Sequence, residues 1–397
     1  MSAFRLPDLD YNAGAPLDPR VDAAMRALDA SADANPHAVH ERGRAARSIL
    51  ESARERIAEA LAMRPDEIVF CSGGTEANNI AVATGVRYAR SRKLPLATSP
   101  VEHPSVSAPV DAVRGEIEVL DLGLDPADPV ELLSPQRPIA FLTGILAQGE
   151  TGFVHDLGKL RRAIDADRAG EPRPFLHTDA SQALGRMSIE AALACADLVT
   201  LSPHKVGGPR GIGVLVVREG CSPEPVLRGG SQELGRRPGT QSPRLAIGAA
   251  LAIELAQQEW LERRMAMQAG LDSLLDPLRA LRESGALRIL GEDVLVVDRS
   301  RLLPNTRALV CDGVVARDLL PALDMHGVGV SYGSACSSGA LEPSRSLVSL
   351  GLSEDDQRAT VRVSIGPSSE NKLLRNAGSL FSQVLGAFSE KRDRRTR

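Results

Sequence analysis

Between Glu67 and Val217 the chain alternates short β-branched, aliphatic runs with longer stretches of helical periodicity. A strand followed by a helix before the next strand cannot return through a tight hairpin. It must cross over, so the pattern specifies a mostly parallel sheet with helices on both faces. The runs at residues 68–71, 94–98, 117–120, 139–142, 175–178, 198–201 and 213–217 are the predicted strands of a seven-stranded α/β core. An amphipathic helix is expected from about Arg244 to Arg282, broken near Pro277. It leads into a second unit over about residues 283–390, with strands at 307–311 and 360–365 and helices at 315–326 and 371–388. The expected division is a large domain of residues 14–258 and a smaller α+β domain formed by residues 1–13 and 259–397.

With 397 residues, 43% of them hydrophobic, the chain can bury a large core. The net charge of −4 gives no basic field, which argues against nucleic-acid and anionic-membrane partners. The basic stretch 390–397 reads as a solvated terminus. The first ten residues lack a signal-peptide pattern, and no window approaches 18 consecutive apolar residues. The five cysteines, Cys71, Cys195, Cys221, Cys311 and Cys336, are dispersed and contain no C-x-x-C pair, so neither a disulfide framework nor a thiolate metal site is expected. A reducing cytoplasm fits this usage best.

In open α/β sheets ligands bind beyond the carboxyl ends of the strands, so the residues just after each predicted strand carry the chemistry. After 68–71 comes Ser72-Gly-Gly-Thr-Glu-Ala-Asn-Asn79, two glycines and a hydroxyl opening a helix. That arrangement suits an anion, although helix capping alone would also explain it. After 175–178 comes Asp179-Ala-Ser-Gln182. A carboxylate there is costly to bury unless a cation meets it; an exposed loop acid is the plainer alternative. After 198–201 comes Ser202-Pro-His-Lys205, with Lys205 isolated among glycines and prolines where no helix face or salt-bridge pattern requires it. The glycines at 207–213 precede a strand instead of opening a helix, which rules out a dinucleotide-binding loop. A lysine, a carboxylate and a helix-start phosphate cradle at neighbouring strand ends are what pyridoxal 5′-phosphate requires. Lysine forms the Schiff base, the acid holds the ring nitrogen protonated, and backbone N–H groups take the phosphate.

Ser202-Pro-His-Lys205, His177-Thr-Asp-Ala-Ser-Gln182, Ser72-Gly-Gly-Thr-Glu-Ala-Asn-Asn79, Val101-Glu-His103, Arg237-Pro-Gly-Thr240 and Ser334-Ala-Cys-Ser-Ser338 together resemble a cysteine desulfurase of the class V aminotransferase group. The match runs in order from Asp10-Tyr-Asn12 to about Gly366. The resemblance implies the pyridoxal-phosphate fold described above and the conversion of L-cysteine to L-alanine. It implies Lys205 as the Schiff-base amine, Asp179 as partner of the ring nitrogen, His103 stacked on the ring and assisting proton transfer, and Gln182 at the phenolic oxygen. Gly74, Thr75, Ser202 and His204 would hold the phosphate, and Thr240 would reach a phosphate in a neighbouring subunit of a homodimer. Arg362 and Asn35 would bind substrate, Arg362 by gripping its α-carboxylate with a planar two-pronged donor. Cys336 would take the sulfane sulfur as a persulfide and pass it to an acceptor protein, in the manner of the long-loop desulfurases. In Ala147-Gln-Gly-Glu-Thr-Gly152 the family usually has Asn-Asn-Glu, so Gln148 stands where an asparagine would contact the phenolic oxygen. Pro203 and Pro238 replace small residues near the phosphate. A selenocysteine lyase or another pyridoxal-phosphate lyase or aminotransferase of the same fold is the alternative activity, and a non-catalytic scaffold the alternative class.

Overall fold

A computed structural model describes residues 8–125, 127–166, 170–333 and 344–396, with side chains through residue 388. Its strands are β1 (Ile68–Cys71), β2 (Leu96–Thr98), β3 (Val119–Asp121), β4 (Leu124–Asp125), β5 (Asp128–Leu132), β6 (Phe141–Thr143), β7 (Phe175–Asp179), β8 (Leu198–Leu201), β9 (Gly213–Val217), β10 (Leu287–Ile289), β11 (Thr306–Cys311) and β12 (Thr360–Ser364). Seven of them form the main sheet in the order β1-β9-β8-β7-β6-β2-β3. Neighbours from β8 to β3 run parallel, whereas β9 is antiparallel to both β8 and β1. The carboxyl ends of β1, β8, β7, β6 and β2 therefore share one edge.

The central strands are buried on both faces, which explains their unbroken apolar runs. Strand alternation divides them between two cores. Ile68, Phe70, Val214 and Val216 pack with the helices Glu41–Ala60 and Pro243–Gln258. Val69, Leu215, Leu96 and Phe141 pack with helix Gly74–Arg92 on the other face. Gly85 of that helix lies against the Phe141 ring, where an added Cβ would come within 2.6 Å of it.

The C-terminal part is built on the antiparallel sheet β10-β11-β12, covered by helices Trp260–Leu275 and Asn371–Thr396. Leu9 is buried in this second core, and residues 9–11 run beside β12 through Ser364 N–H to the Leu9 carbonyl (2.7 Å) and Tyr11 N–H to the Ser364 carbonyl (3.1 Å). The helix expected over 244–282 breaks near Pro277 as expected, in a 3₁₀ turn at Asp276–Leu278 before a short helix, Arg279–Glu283. It also breaks earlier, where Pro243–Gln258 ends at Glu259, whose carboxylate is held by Arg20 and Arg263. The short strand β10 and the small hairpin of β4 and β5 were not expected from the sequence.

Phe141 is fully buried in a central strand. Phe141→Ala is expected to destabilise the protein by about 3–5 kcal/mol, lowering the urea midpoint; a shift worth less than about 1 kcal/mol would show that the ring is not packed as described. His155 is also buried, with Nδ1 bonded to the Val130 carbonyl (2.8 Å), and burial pushes its pKa from 6.5 down to about 4. The folded state thus resists a proton that the unfolded chain accepts. The stability associated with the neutral ring is complete above pH 6.5 and is lost as pH falls from 6.5 to 4. In His155→Gln the slope of unfolding free energy against pH in this window should flatten by about 1.4 kcal/mol per pH unit. Identical slopes in the two proteins would exclude His155 as the source.

Candidate active site

Asp179 ends β7, and its carboxylate accepts hydrogen bonds from Asn78 Nδ2 (2.8 Å) and Ser181 N–H (2.9 Å). The residue is 7% exposed, and no ion pair to it occurs among the described residues. A buried carboxylate met only by neutral donors can still accept a cation, and a protonated ring nitrogen is one.

Behind Asp179 a polar chain crosses four adjacent strand ends. Thr200 on β8 bonds His177 Nε2 (3.1 Å), His177 Nδ1 bonds Thr143 Oγ1 on β6 (2.8 Å), and Thr143 lies 3.4 Å from Glu102 Oε1 beyond β2. Burial keeps the His177 imidazole neutral despite the nearby Asp179. Burial, reinforced by the Asp179 charge, pushes the Glu102 carboxyl up to about 8, and its Oε2 is buried without a partner.

Lys205 closes a 3₁₀ turn, Pro203–Lys205, just after β8, and its Nζ donates to the carbonyls of Asn12 (2.6 Å) and Ala13 (3.0 Å). His204 beside it is pushed down to about 4, first by burial and then by the charges of Lys205 and Arg210. Ser202 is buried with Oγ 2.9 Å from Ser181 Oγ, and a Cβ placed on Gly74 would collide with that same Ser202 oxygen. Gly74 opens a 19-residue helix whose N-cap, Gly73, makes no side-chain cap bond, with Thr75 exposed next to it. First-turn N–H groups, two serine hydroxyls and a glycine thus converge on one small polar cradle, suited to a phosphate.

His103 caps helix Pro104–Ala112, its Nδ1 accepting from Ser105 N–H (3.1 Å), which assigns the proton of the neutral ring to Nε2. Gln182 donates to the Asn12 carbonyl (3.2 Å) and leaves its Oε1 buried and unpartnered. Arg362, 4% exposed on β12, donates through Nη2 to Asp10 Oδ1 (2.6 Å) and through Nη1 to the Gly149 carbonyl (3.2 Å), with Nε unpartnered.

The structure departs from the expected site in several places. Both ends of the Gln148 amide are bonded within the protein: Oε1 accepts from Glu150 N–H (2.6 Å) and Thr151 N–H (2.7 Å) of its own loop, and Nε2 donates to Ser346 Oγ (2.8 Å). Its expected contact with a phenolic oxygen has no support in these bonds. Asn35 is exposed, its Oδ1 accepting from His37 N–H (3.0 Å), and among the described residues no bond joins it to Arg362. Thr240 is also exposed, and His37 Nε2 bonds Gln241 Oε1 (3.2 Å), which brings the Asn35 segment beside the Thr240 loop. Cys336 lies outside the described residues.

Three contributors were not anticipated from the sequence. Asn78 could have been found, because it stands one helical turn beyond Gly74 on the same face. Ser181 follows Asp179 by two residues, the spacing at which an aspartate bonds its own chain. The Asn12 carbonyl has no local signal.

The class-V aminotransferase model matches residues 8–374. The chain is 35% identical over 367 residues to the cysteine desulfurase IscS of Dictyoglomus turgidum, covering 90% of this chain and 89% of that protein. A solved NifS-like protein superimposes with a TM-score of 0.83 at 24% identity, over 96% of this chain and 99% of the other, a likeness of fold. A structure described as SspA in complex with cysteine superimposes with a TM-score of 0.74 at 26% identity, over 92% and 100% of the two chains. The buried acid, the lysine turn and the phosphate-sized cradle occur in a chain that belongs to the class-V aminotransferase family, within its cysteine desulfurase group, whose cofactor is pyridoxal 5′-phosphate.

Proposed function

We propose that this protein is a pyridoxal-phosphate-dependent cysteine desulfurase that converts L-cysteine to L-alanine and leaves the sulfur on Cys336 as a persulfide. The observation that carries the reading is Asp179: a buried carboxylate bonded by the neutral donors Asn78 and Ser181 N–H, one strand away from the turn that presents Lys205. When bound, the cofactor supplies an electron-withdrawing ring that takes up the charge left on the substrate's α-carbon.

The chain's own residues supply the rest. Asp179 keeps the ring nitrogen protonated. Gly74, Thr75, Ser202 and His204 hold the phosphate, and His204 does so as a neutral donor, since its pKa is pushed down to about 4. His103 packs on the ring, with its Nδ1 fixed by Ser105. Gln182 would offer the second N–H of its amide, whose first donates to the Asn12 carbonyl, to the phenolic oxygen. Lys205 would hold the cofactor through its amine and would move the substrate's α-proton, assisted by His103. Arg362 grips the α-carboxylate. The Cys336 thiolate attacks the substrate sulfur, the carbon–sulfur bond breaks, and alanine leaves with a hydrogen in the sulfur's place. An acceptor protein then takes the persulfide sulfur. The structure solved with cysteine at 26% identity supports this choice of substrate.

A second copy of the chain completes the site in this reading. Thr240 and Asn35 share one exposed region, and Val226, Leu227 and Leu234 (75% exposed) lie on the segment leading to Thr240. Exposed apolar residues on a loop that must reach a partner's phosphate support a homodimer.

The test is the absorption spectrum of purified protein supplied with pyridoxal phosphate, before and after L-cysteine, together with alanine release. The wild type should show the bound cofactor and release alanine. Lys205→Ala should lose both the lysine-linked absorption band and turnover. Cys336→Ser should keep the band and its response to cysteine while alanine release falls to background. A wild type that stays colourless with added cofactor, or undiminished alanine release from Cys336→Ser, would overturn the proposal.

A further inference from the structure

Arg362 already holds a carboxylate. Asp10 Oδ1 lies 2.6 Å from Nη2, and the Asp10 backbone is fixed beside β12 by bonds from Ser364 N–H to the Leu9 carbonyl and from Tyr11 N–H to the Ser364 carbonyl. A guanidinium only 4% exposed requires a counter-ion, because an unpaired buried charge is strongly destabilising. The other acid near Arg362, Glu150, makes no ion pair with it among the described residues, and its Oε2 accepts from Ser344 Oγ.

The pairing is incomplete in an informative way. A carboxylate fits an arginine best when two parallel N–H groups of one edge meet its two oxygens. Asp10 uses Nη2 alone, Nη1 goes to the Gly149 carbonyl, and the adjacent Nε is buried with no acceptor. The Asp10 side chain is 28% exposed, so its carboxylate can return to water when displaced.

We propose that Asp10 is a placeholder for the substrate's α-carboxylate, neutralising Arg362 in the empty site and giving way when an amino acid fills the Nε–Nη2 edge. This rests on the reading of Arg362 as the carboxylate grip. Every carboxylate ligand must then break the Asp10–Arg362 pair before it binds. Asp10 thereby weakens amino-acid substrate and product alike, which favours release of alanine, and it leaves amines without a carboxylate unaffected. It acts through Arg362 as a positioning and specificity residue.

The test uses the cofactor-loaded enzyme. L-alanine and cysteamine, which lacks the carboxylate, are titrated separately against the cofactor's absorption in wild type, Asp10→Asn, Asp10→Ala and Arg362→Ala. Asp10→Asn keeps an oxygen for Nη2 without the charge, so the site stays assembled. In both Asp10 variants the Kd for L-alanine should fall about fivefold, the scale expected for a partly exposed ion pair. The KM for L-cysteine should fall in parallel, with the Kd for cysteamine unchanged and the Kd for L-alanine raised in Arg362→Ala. If alanine binding is unchanged or weaker in the Asp10 variants while Arg362→Ala still weakens it, Asp10 merely orients the arginine; the placeholder role is then wrong and the proposed function stands. If Arg362→Ala leaves alanine binding unchanged, the carboxylate-grip reading fails and this inference fails with it.

Discussion

A carboxylate buried at the end of a central strand is the constraint around which the other groups are arranged. Asp179 is tolerated there because Asn78 and the Ser181 N–H satisfy it from two directions. Among the described residues the strand ends behind it carry no competing cation: His177 is held neutral between Thr143 and Thr200, and Glu102 is the acid that gives way, its pKa raised by burial and by the Asp179 charge. A cationic ring nitrogen is therefore the natural partner of Asp179. The same layer explains why several polar residues occur in strands that otherwise read as continuous apolar core.

The two reactive side chains are linked by a segment remote from both in sequence. Asp10 pairs with Arg362, the carbonyls of Asn12 and Ala13 receive Lys205 Nζ, and Asn12 Nδ2 donates to Thr306 Oγ1 (2.8 Å) and to the Gly149 carbonyl (3.0 Å). Thr306 and Arg362 belong to the three-stranded sheet, whereas Lys205 and Gly149 follow strands of the large one. Residues 10–13 thus lie at the seam between the two sheets, and a displacement there would reach the substrate grip and the amine together. Arg186 strengthens the seam from beneath, its Nη2 donating to Asn12 Oδ1 and to the Lys205 carbonyl (3.3 Å each).

How far the sequence made this legible depended on the range of each interaction. All seven strands of the main sheet were expected within about two residues, because a short apolar run is a local signal. Asp179, Lys205 and Gly74 were legible for a related reason: each follows its strand directly, so placing the strand places the residue. The direction of the Gln148 amide was not legible, because position predicts where the backbone passes, while the amide's direction is decided by the N–H groups of Glu150 and Thr151 in its own turn. The helix break at Glu259 was missed because no proline or glycine marks it, and the long-range contact made there, Arg20 to the Glu259 carboxylate, has no local signal. Asn12 was invisible as a partner of Lys205 for want of any spacing rule linking positions so far apart.

The glycines around Lys205 have a topological cause. The chain leaves β8, presents Lys205, and must reverse at once, because β9 returns antiparallel in the slot between β8 and β1. Gly207 and Gly211 take φ values of +93° and +85°, in the left-handed region that side chains with a Cβ adopt at a cost. Gly208 lies against Pro203, where an added Cβ would sit 2.7 Å from the proline Cβ. Gly213 begins β9 directly against the backbone of Gly73, with no room for a side chain. That last contact brings the turn before helix Gly74–Arg92 against the strand that returns from Lys205. The reversal that frees the lysine from the sheet is thus the same feature that sets the phosphate cradle beside it.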